Sequence, residues 1–341
     1  MDSVEPEVGV LDEGVPDKGV AEEERHDARI VCLGEALVDF VCERPVSSLV
    51  EADFFVPRQG GSLANIAMAA ARFSDRVELI GGIGDDQWGL WLHERITTAG
   101  VDTSRFDLLR GVQTSHAFVS VDKQGEPAFA FYGDQVRPSV HAGVHLDATI
   151  TGNDGVLVVG SDSLLGEDER EVTMRAVALA RDQGWAVLCD PNLRPNRWDS
   201  RDEMVETISS LVAGANVVKL NESEALTLSG MISAEAAGEW LMGLGPRAVV
   251  VTRGAHGAFV QTPRSVVPIK GVPAKVVDST GAGDSVCGVI AAGMARWLPL
   301  DDVVTAAMYV AAGVVGVWGA TEGLPSGSDA RALLAQPSRQ K

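Results

Sequence analysis

Val277-Asp278-Ser279-Thr280-Gly281-Ala282-Gly283-Asp284-Ser285 is the segment on which the reading of this 341-residue chain turns. It ends an extended stretch, bends on two glycines and runs into a long apolar helical pattern over 281–297. Glycines at such a bend let main-chain N–H groups converge at a helix start, where the peptide dipoles add roughly half a positive charge. That is a site for a phosphate, or for charge developing on one. Asp284 does not suit phosphate binding alone, because a carboxylate beside bound phosphate repels it. It suits a base taking a proton from an attacking hydroxyl while the neighbouring amides hold the transferred group. A carboxylate in a first helical turn is also an ordinary cap or dipole charge. The segment by itself leaves both readings open.

Upstream of it, strand-like runs at 30–33, 77–80, 155–159, 185–189, 216–220 and 248–252 alternate with helical patterns. The helical patterns cover 65–72, 89–99, 167–183, 201–213, 222–229 and 234–241. Strands separated by helices predict an α/β protein with a mainly parallel sheet covered on both faces. The runs 281–297 and 301–318 are rich in small residues and suited to close helix packing. Two regions break the alternation. Residues 38–56 carry short apolar runs without a helical period, and 114–121 and 127–132 read as a hairpin through Asp122-Lys123-Gln124-Gly125. From the residues alone, these form either a small separate sheet or edge strands of the main one.

A second glycine segment is Arg58-Gln59-Gly60-Gly61-Ser62-Leu63-Ala64-Asn65-Ile66-Ala67. Paired glycines before a helix allow a ligand to approach the backbone closely, and Asn65 offers a donor and an acceptor to a hydroxyl. Taken singly, it also reads as a tight loop with an incidental Asn. The P-loop pattern G-x-x-x-x-G-K-[ST] is absent, and Gly34-Glu35-Ala36 stands where a dinucleotide fingerprint would follow the first strand. No G-x-S-x-G occurs, and the six histidines are scattered without metal-ligand spacing.

The net charge is −20. Residues 1–28 hold ten acidic side chains against Lys18 and Arg25, a local −8 that leaves −12 elsewhere. With six lysines in all, the chain lacks the basic cluster that nucleic-acid binding needs. The acidic, aromatic-free start predicts a disordered tail over 1–28, with no signal peptide, and 331–341 is expected to be a flexible tail. No run of 18 apolar residues exists, so no membrane span is expected. Cys32, Cys42, Cys189 and Cys287 are scattered, which fits core thiols in a reducing cytoplasm.

The two glycine segments, in this order and at this separation, resemble the two signatures of the ribokinase-like carbohydrate kinases, the PfkB family, over nearly all of 29–325. Asp278-Ser279-Thr280-Gly281-Ala282-Gly283-Asp284 resembles the family's anion-hole and catalytic motif, and Gly60-Gly61 with Asn65 its sugar-binding motif. Gly34-Glu35-Ala36-Leu37-Val38-Asp39 resembles the first strand, Asp190-Pro191-Asn192-Leu193-Arg194 the D-x-N-x-R segment, and Asn221-Glu222-Ser223-Glu224 the N-x-x-E motif. Val251-Thr252-Arg253-Gly254-Ala255-His256-Gly257 resembles the nucleotide-binding strand and loop.

The resemblance implies a Rossmann-like three-layer α/β/α ribokinase fold over 29–330, with a small β-sheet lid from about 38–57 and 113–132, often paired into a homodimer through the lids. It implies a kinase using ATP and Mg²⁺ on a small sugar. Asp284 is then the base, with the amides of Gly281, Ala282 and Gly283 around the transferring group. Asp39, Gly60, Gly61 and Asn65 hold the sugar, and Arg194 offsets phosphate charge. Asn221, Thr252, Gly254, Gly257 and Gly283 meet the nucleotide, and Glu224 and Asn221 hold Mg²⁺ through water. Asp278 and Thr280 are placed to offer carbonyls to a monovalent cation such as K⁺. The hairpin region and Asp190-Pro191-Asn192-Leu193-Arg194-Pro195-Asn196-Arg197-Trp198 look like fructokinase members. The 2-keto-3-deoxygluconate kinases, whose substrate carries a carboxylate, are close, but Gly133 follows Phe131-Tyr132 where they commonly have Arg, and the nearest cation is Arg137. A nucleoside kinase and a non-catalytic sugar or nucleotide sensor on the same scaffold are the remaining alternatives.

Overall fold

The computed structural model describes residues 27–133 and 137–335. The acidic segment 1–26, residues 134–136, the side chains of Arg137, Pro138, Ser139 and Ala335, and the stretch 336–341 lie outside the described residues. Thirteen strands occur among the described residues. They are β1 (Arg29–Gly34), β2 (Leu37–Val41), β3 (Val56–Gly60), β4 (Val77–Gly84), β5 (Phe106–Leu109), β6 (His116–Val121), β7 (Pro127–Tyr132), β8 (Gly155–Gly160), β9 (Ala186–Asp190), β10 (Val217–Asn221), β11 (Ala248–Thr252), β12 (Ala258–Gln261) and β13 (Val266–Ile269). The helices are α1 (Ser62–Ala70), α2 (Gln87–Thr98), α3 (Leu146–Thr149), α4 (Glu167–Asp182), α5 (Arg201–Gly214), α6 (Glu222–Ser229), α7 (Ala234–Gly243), α8 (Ala282–Ala295), α9 (Leu300–Val314) and α10 (Gly327–Ala335).

Nine strands form the main sheet in the order β13-β12-β11-β10-β9-β8-β1-β4-β5. The strands from β11 to β5 are parallel to their neighbours, and β12 and β13 add an antiparallel hairpin at one edge. Strand alternation divides the core. Ile30 and Cys32 pack with α1, α2, α8 and α9 on one face, while Val31 and Leu33 pack with α4, α5, α6 and α7 on the other. The small-residue helices do pack closely. A Cβ on Gly288 of α8 would lie 2.5 Å from the Ala69 Cβ and 2.8 Å from the Ile66 carbonyl of α1. No helix among the described residues is long and apolar enough to cross a membrane.

The irregular regions build a second sheet, β3-β2-β6-β7. Its inner face carries Leu37, Val41, Ala117, Val119 and Val121, joined by Phe129 and Phe131. The first-strand assignment of Asp39 needs correction. The main-sheet strand stops at Gly34, and Asp39 lies on β2, paired with Arg58 and Ala117 in the small sheet. The chain changes sheet across Glu35-Ala36, a jump no apolar period reports.

Three other expectations change. The hairpin β12–β13 adds two strands to the runs read from the sequence, and Pro268 is tolerated there because β13 is the outermost edge strand. Helix α10 runs to Ala335, with Leu334 buried, through the first residues of the expected flexible tail at 331–341. At the other end, Asp27-Ala28 belongs to the folded body, since the Ala28 amide donates to the Ala295 carbonyl at 2.9 Å.

Candidate active site

In a parallel sheet covered by helices, the carboxyl ends of the strands face the crevice where ligands bind. Strands β1, β9, β10 and β11 end there in Gly34, Asp190, Asn221 and Thr252, and α1 and α8 begin beside them. The bend before α8 is left-handed at Gly281 (φ 76°, ψ −3°). A Cβ there would lie 2.5 Å from the Cα and carbonyl oxygen of Ala320, so only glycine fits. Asp278 is fully buried and pins the bend. Its Oδ1 accepts from the Thr280 amide at 3.0 Å and the Thr280 hydroxyl at 2.6 Å, and its Oδ2 accepts from the Gly319 amide at 3.0 Å. Gly283 and Asp284 are in the first turn of α8, where amides have no intrahelical carbonyl to bond. The Ala282 amide reaches back to the Ser279 carbonyl at 3.2 Å.

Asp284 does not cap its own helix. Its Oδ2 accepts from Asn65 Nδ2 at 2.9 Å, and its Oδ1 accepts from the Ser62 hydroxyl at 3.0 Å and from Asn192 Nδ2 at 3.4 Å. Asn192 Nδ2 also donates to the Ser62 hydroxyl oxygen at 2.7 Å. The two glycine segments, some 220 residues apart in sequence, thus meet at one carboxylate. Burial, and then the charge of Asp190, push the Asp284 carboxyl up to about 6, against the pull of Asn65, Lys219 and Ser62. Such a group is ionised at neutral pH yet holds a proton more strongly than an exposed Asp, as a base requires.

Asp39 is buried beside this carboxylate. Burial and the charges of Asp284 and Asp278 drive it well above the usual carboxylate range, opposed by Arg194. Its carboxylate fills the space a side chain on Gly60 would need. Asp39 Oδ1, Asn65 Oδ1 and Glu35 Oε2 are buried without a hydrogen-bond partner. Gly61, at φ 93°, lies against the Glu35 carbonyl and Ala36 Cα, which lets the chain turn from β3 into α1.

The remaining expected residues divide. Arg194 folds back on the carbonyls of Asn192 (3.3 Å) and Leu193 (3.1 Å) and stacks over Phe129 of the small sheet at 5.7 Å. Asn221 and Glu224 close a capping box at the start of α6: Asn221 Oδ1 accepts from the Glu224 amide (2.9 Å) and Glu224 Oε2 from the Asn221 amide (2.8 Å). Glu224 Oε1 accepts from the Leu193 amide at 3.1 Å, and burial raises its carboxyl. The Thr252 hydroxyl donates to the Leu220 carbonyl at 3.3 Å. Gly254 and Gly257 both take positive φ in the tight β11–β12 turn, and a side chain on Gly257 would strike the backbone of β13 and Gly271.

Sequence reading assigned no role to Ser62, Asn192, Glu35 or Lys219. Glu35 Oε1 accepts from the Ser62 amide at 2.7 Å, fixing the start of α1. The signal for Lys219 was visible, since one cation interrupts the otherwise apolar buried run of Val217, Val218 and Leu220 in β10.

The pfkB family carbohydrate kinase pattern matches residues 27–327. Fructokinase-2 of Solanum habrochaites is 34% identical over 264 residues, covering 76% of this chain and 80% of the relative. Fructokinase from Vibrio cholerae O395, solved with fructose, ADP and calcium ion, superposes with a TM-score of 0.80 at 30% identity, covering 90% of this chain and 99% of that one. Aminoimidazole riboside kinase from Salmonella enterica, solved with aminoimidazole riboside and an ATP analog, gives 0.79 at 25% identity over 90% and 99%. With its fold matched over nine-tenths of its length and its family pattern running from Asp27 to Gly327, the chain belongs to the pfkB family of carbohydrate kinases.

Proposed function

We propose that the protein is an ATP-dependent fructokinase that transfers the γ-phosphate to a primary hydroxyl of the sugar. The observation that carries this reading is the convergence on Asp284, where Ser62 and Asn65 of one glycine segment donate to the carboxylate of the other at 3.0 and 2.9 Å. Asp284 takes the proton of the attacking hydroxyl. The amides at the start of α8 face the charge on the transferring phosphoryl group, with that of Ala282 joining once it leaves the Ser279 carbonyl. The unpartnered oxygens of Asp39 and Asn65 accept from sugar hydroxyls. Arg194 offsets phosphate charge, and Thr252, Gly254 and Gly257 border the nucleotide.

Asn221 and Glu224 suit a divalent ion held through water. Their oxygens already accept main-chain hydrogen bonds, but each keeps a lone pair. Mg²⁺ there would neutralise charge on the phosphates. The bend pinned by Asp278 and Thr280 is the segment proposed for K⁺. The small sheet acts as a lid, with Phe129 and Phe131 on its inner face excluding water that would otherwise accept the phosphate. Its outer face stacks Phe40 on Phe118 (5.4 Å) and His116 on Tyr132 (5.7 Å), an aromatic surface suited to a second lid in a homodimer. Four buried free thiols fit a cytoplasmic setting.

The acids Asp39, Asp284 and Glu35 favour a neutral ketohexose over an acid sugar, whose carboxylate would add charge where burial already raises all three. The test is coupled ADP release with fructose, 2-keto-3-deoxygluconate, ribose, tagatose phosphate and adenosine. Fructose should give the highest kcat/KM. Preference for the acid sugar, or no turnover with any acceptor, would overturn the reading.

A further inference from the structure

We propose that Lys219 is a further positioning residue for phosphoryl transfer, a fixed buried cation held by Asp190 behind the bend at 281–283 and beside Asp284. The inference rests on the reading of Asp284 as the base. Lys219 lies in β10, 3% exposed, and its Nζ donates to Asp190 Oδ2 at 3.1 Å. A Cβ placed on Gly283 would lie 2.7 Å from that Nζ, so the ammonium abuts the main chain of the bend itself. The second glycine of the motif is thereby explained by a neighbour and not by its own backbone angle, since Gly283 is helical and shows no positive φ.

Asp190 is the node of the arrangement. Besides Lys219, its Oδ2 accepts from the Cys287 thiol at 3.1 Å, one turn beyond Asp284 on α8. Its Oδ1 accepts from the Asn192 amide at 3.2 Å. Asn192 holds φ 42°, unusual for a residue with a side chain, and in that pose its carboxamide reaches both Ser62 and Asp284. One buried pair therefore fixes the back of the bend and, through Asn192, the orientation of the carboxylate. A buried ion pair is weak evidence for stability, because an apolar pair of the same shape serves as well or better. A specific use of its charge fits the placement better. Burial opposes the ammonium, and the titratable groups facing it, Asp190 on β9, the Cys287 thiol and Asp284 on α8 and Glu224 on α6, all favour it. Asp39 of the small sheet also feels Asp284.

The experiment compares Lys219→Met, the double variant Asp190→Asn/Lys219→Met, and Asp284→Asn. Lys219→Met alone leaves Asp190 buried and unpaired and can fail to fold; the double variant, neutral at both positions, keeps the question answerable. In the double variant kcat should fall about tenfold or more, with the KM for sugar within about twofold. The acid limb of its kcat/KM profile should move to lower pH, because Asp190 raises Asp284 more than Lys219 lowers it. In a folded Lys219→Met the limb should move the other way. A folded double variant with normal kcat, or activity and stability falling together with the limb unmoved, overturns the inference. An active Asp284→Asn sinks the reading of the base. An inactive Asp284→Asn beside a fully active double variant sinks only the role of Lys219.

Discussion

Replacing Asp284 with Asn should abolish most of the activity and make the protein more stable, both from the same burial. The carboxyl is 8% exposed and is pushed from 3.8 up to about 6. The folded value lies above the unfolded one, so the unfolded chain gives up this proton first. Native stability is whole below pH 3.8, declines as pH rises, and has lost its full increment above 6. About two units at about 1.4 kcal/mol each is a loss of about 3 kcal/mol at pH 7. Asn keeps the shape and removes the charge. Its Oδ1 can accept from Ser62 and Asn192, and its Nδ2 can donate to Asn65 Oδ1, now unpartnered, once the Asn65 carboxamide turns over. We expect a gain of about 1–3 kcal/mol at pH 7, read as a Tm higher by roughly 2–4 °C for each kcal/mol. The kcat should fall roughly 10²–10⁴-fold. Thermal melts of both proteins from pH 4 to 8, beside kcat at pH 7, test the pair of effects. The Tm gap should close towards pH 4. A variant that melts below wild type at pH 7, or by the same margin at every pH, refutes the burial argument. A kcat within tenfold of wild type removes Asp284 as the base.

Three other outcomes follow from the same geometry. Gly281→Ala puts a side chain at φ 76° against Ala320, so both Tm and kcat should drop, the Tm by the equivalent of about 2 kcal/mol or more; wild-type values for both would show that the bend tolerates a Cβ. Glu35, raised from 4.5 to about 8 by burial and by Asp162, loses native stability as pH climbs from 4.5 to that value, so Glu35→Gln should match wild type only near pH 4 and melt higher by a margin that widens to about pH 8 and is constant above it. Equal melting curves at pH 9 would show that Glu35 is ionised without cost. Gly125, at φ 84° with the side chain of Val276 where its Cβ would be, accepts from the Ser279 amide at 2.8 Å and so docks the small-sheet hairpin on the bend. Gly125→Val should part the two and release more ADP than sugar phosphate; a strict one-to-one ratio would show that this contact does not keep water out.

Most of the large sheet was legible because its strands are short apolar runs and its helices carry caps that a sequence displays. Helix α6 spans Glu222–Ser229 as expected, started by the Asn221 capping box and stopped by the left-handed Gly230. What the period could not show was any change of sheet without a change of pattern. Glu35-Ala36 carries the chain from β1 into the small sheet with apolar residues on both sides, so Asp39 looked like the end of a main-sheet strand. The candidate site divides in the same way. The glycine bends announce themselves, whereas Ser62 and Asn192 gain meaning only when Asp284 arrives from the far end of the chain.

The cost of this arrangement also falls where the chemistry needs it. Glu35, Asp39 and Asp284 are all raised chiefly by burial, and Asp39 Oδ1, Asn65 Oδ1 and Glu35 Oε2 lack partners. Buried acceptors left unmatched are destabilising, by about 1–3 kcal/mol each. Of the eleven buried side-chain atoms without a partner among the described residues, these three are the ones grouped where Ser62, Asn65 and Asn192 reach Asp284. A ligand rich in hydroxyl donors removes several of them together, so part of its binding energy is relief of stress already present in the empty protein. The carboxylate that such a ligand must meet is kept ionised near neutral pH by Lys219 and by three side-chain donors, against the burial that raises it. A site free of that stress would hold a less basic Asp284 and bind a polyol less selectively.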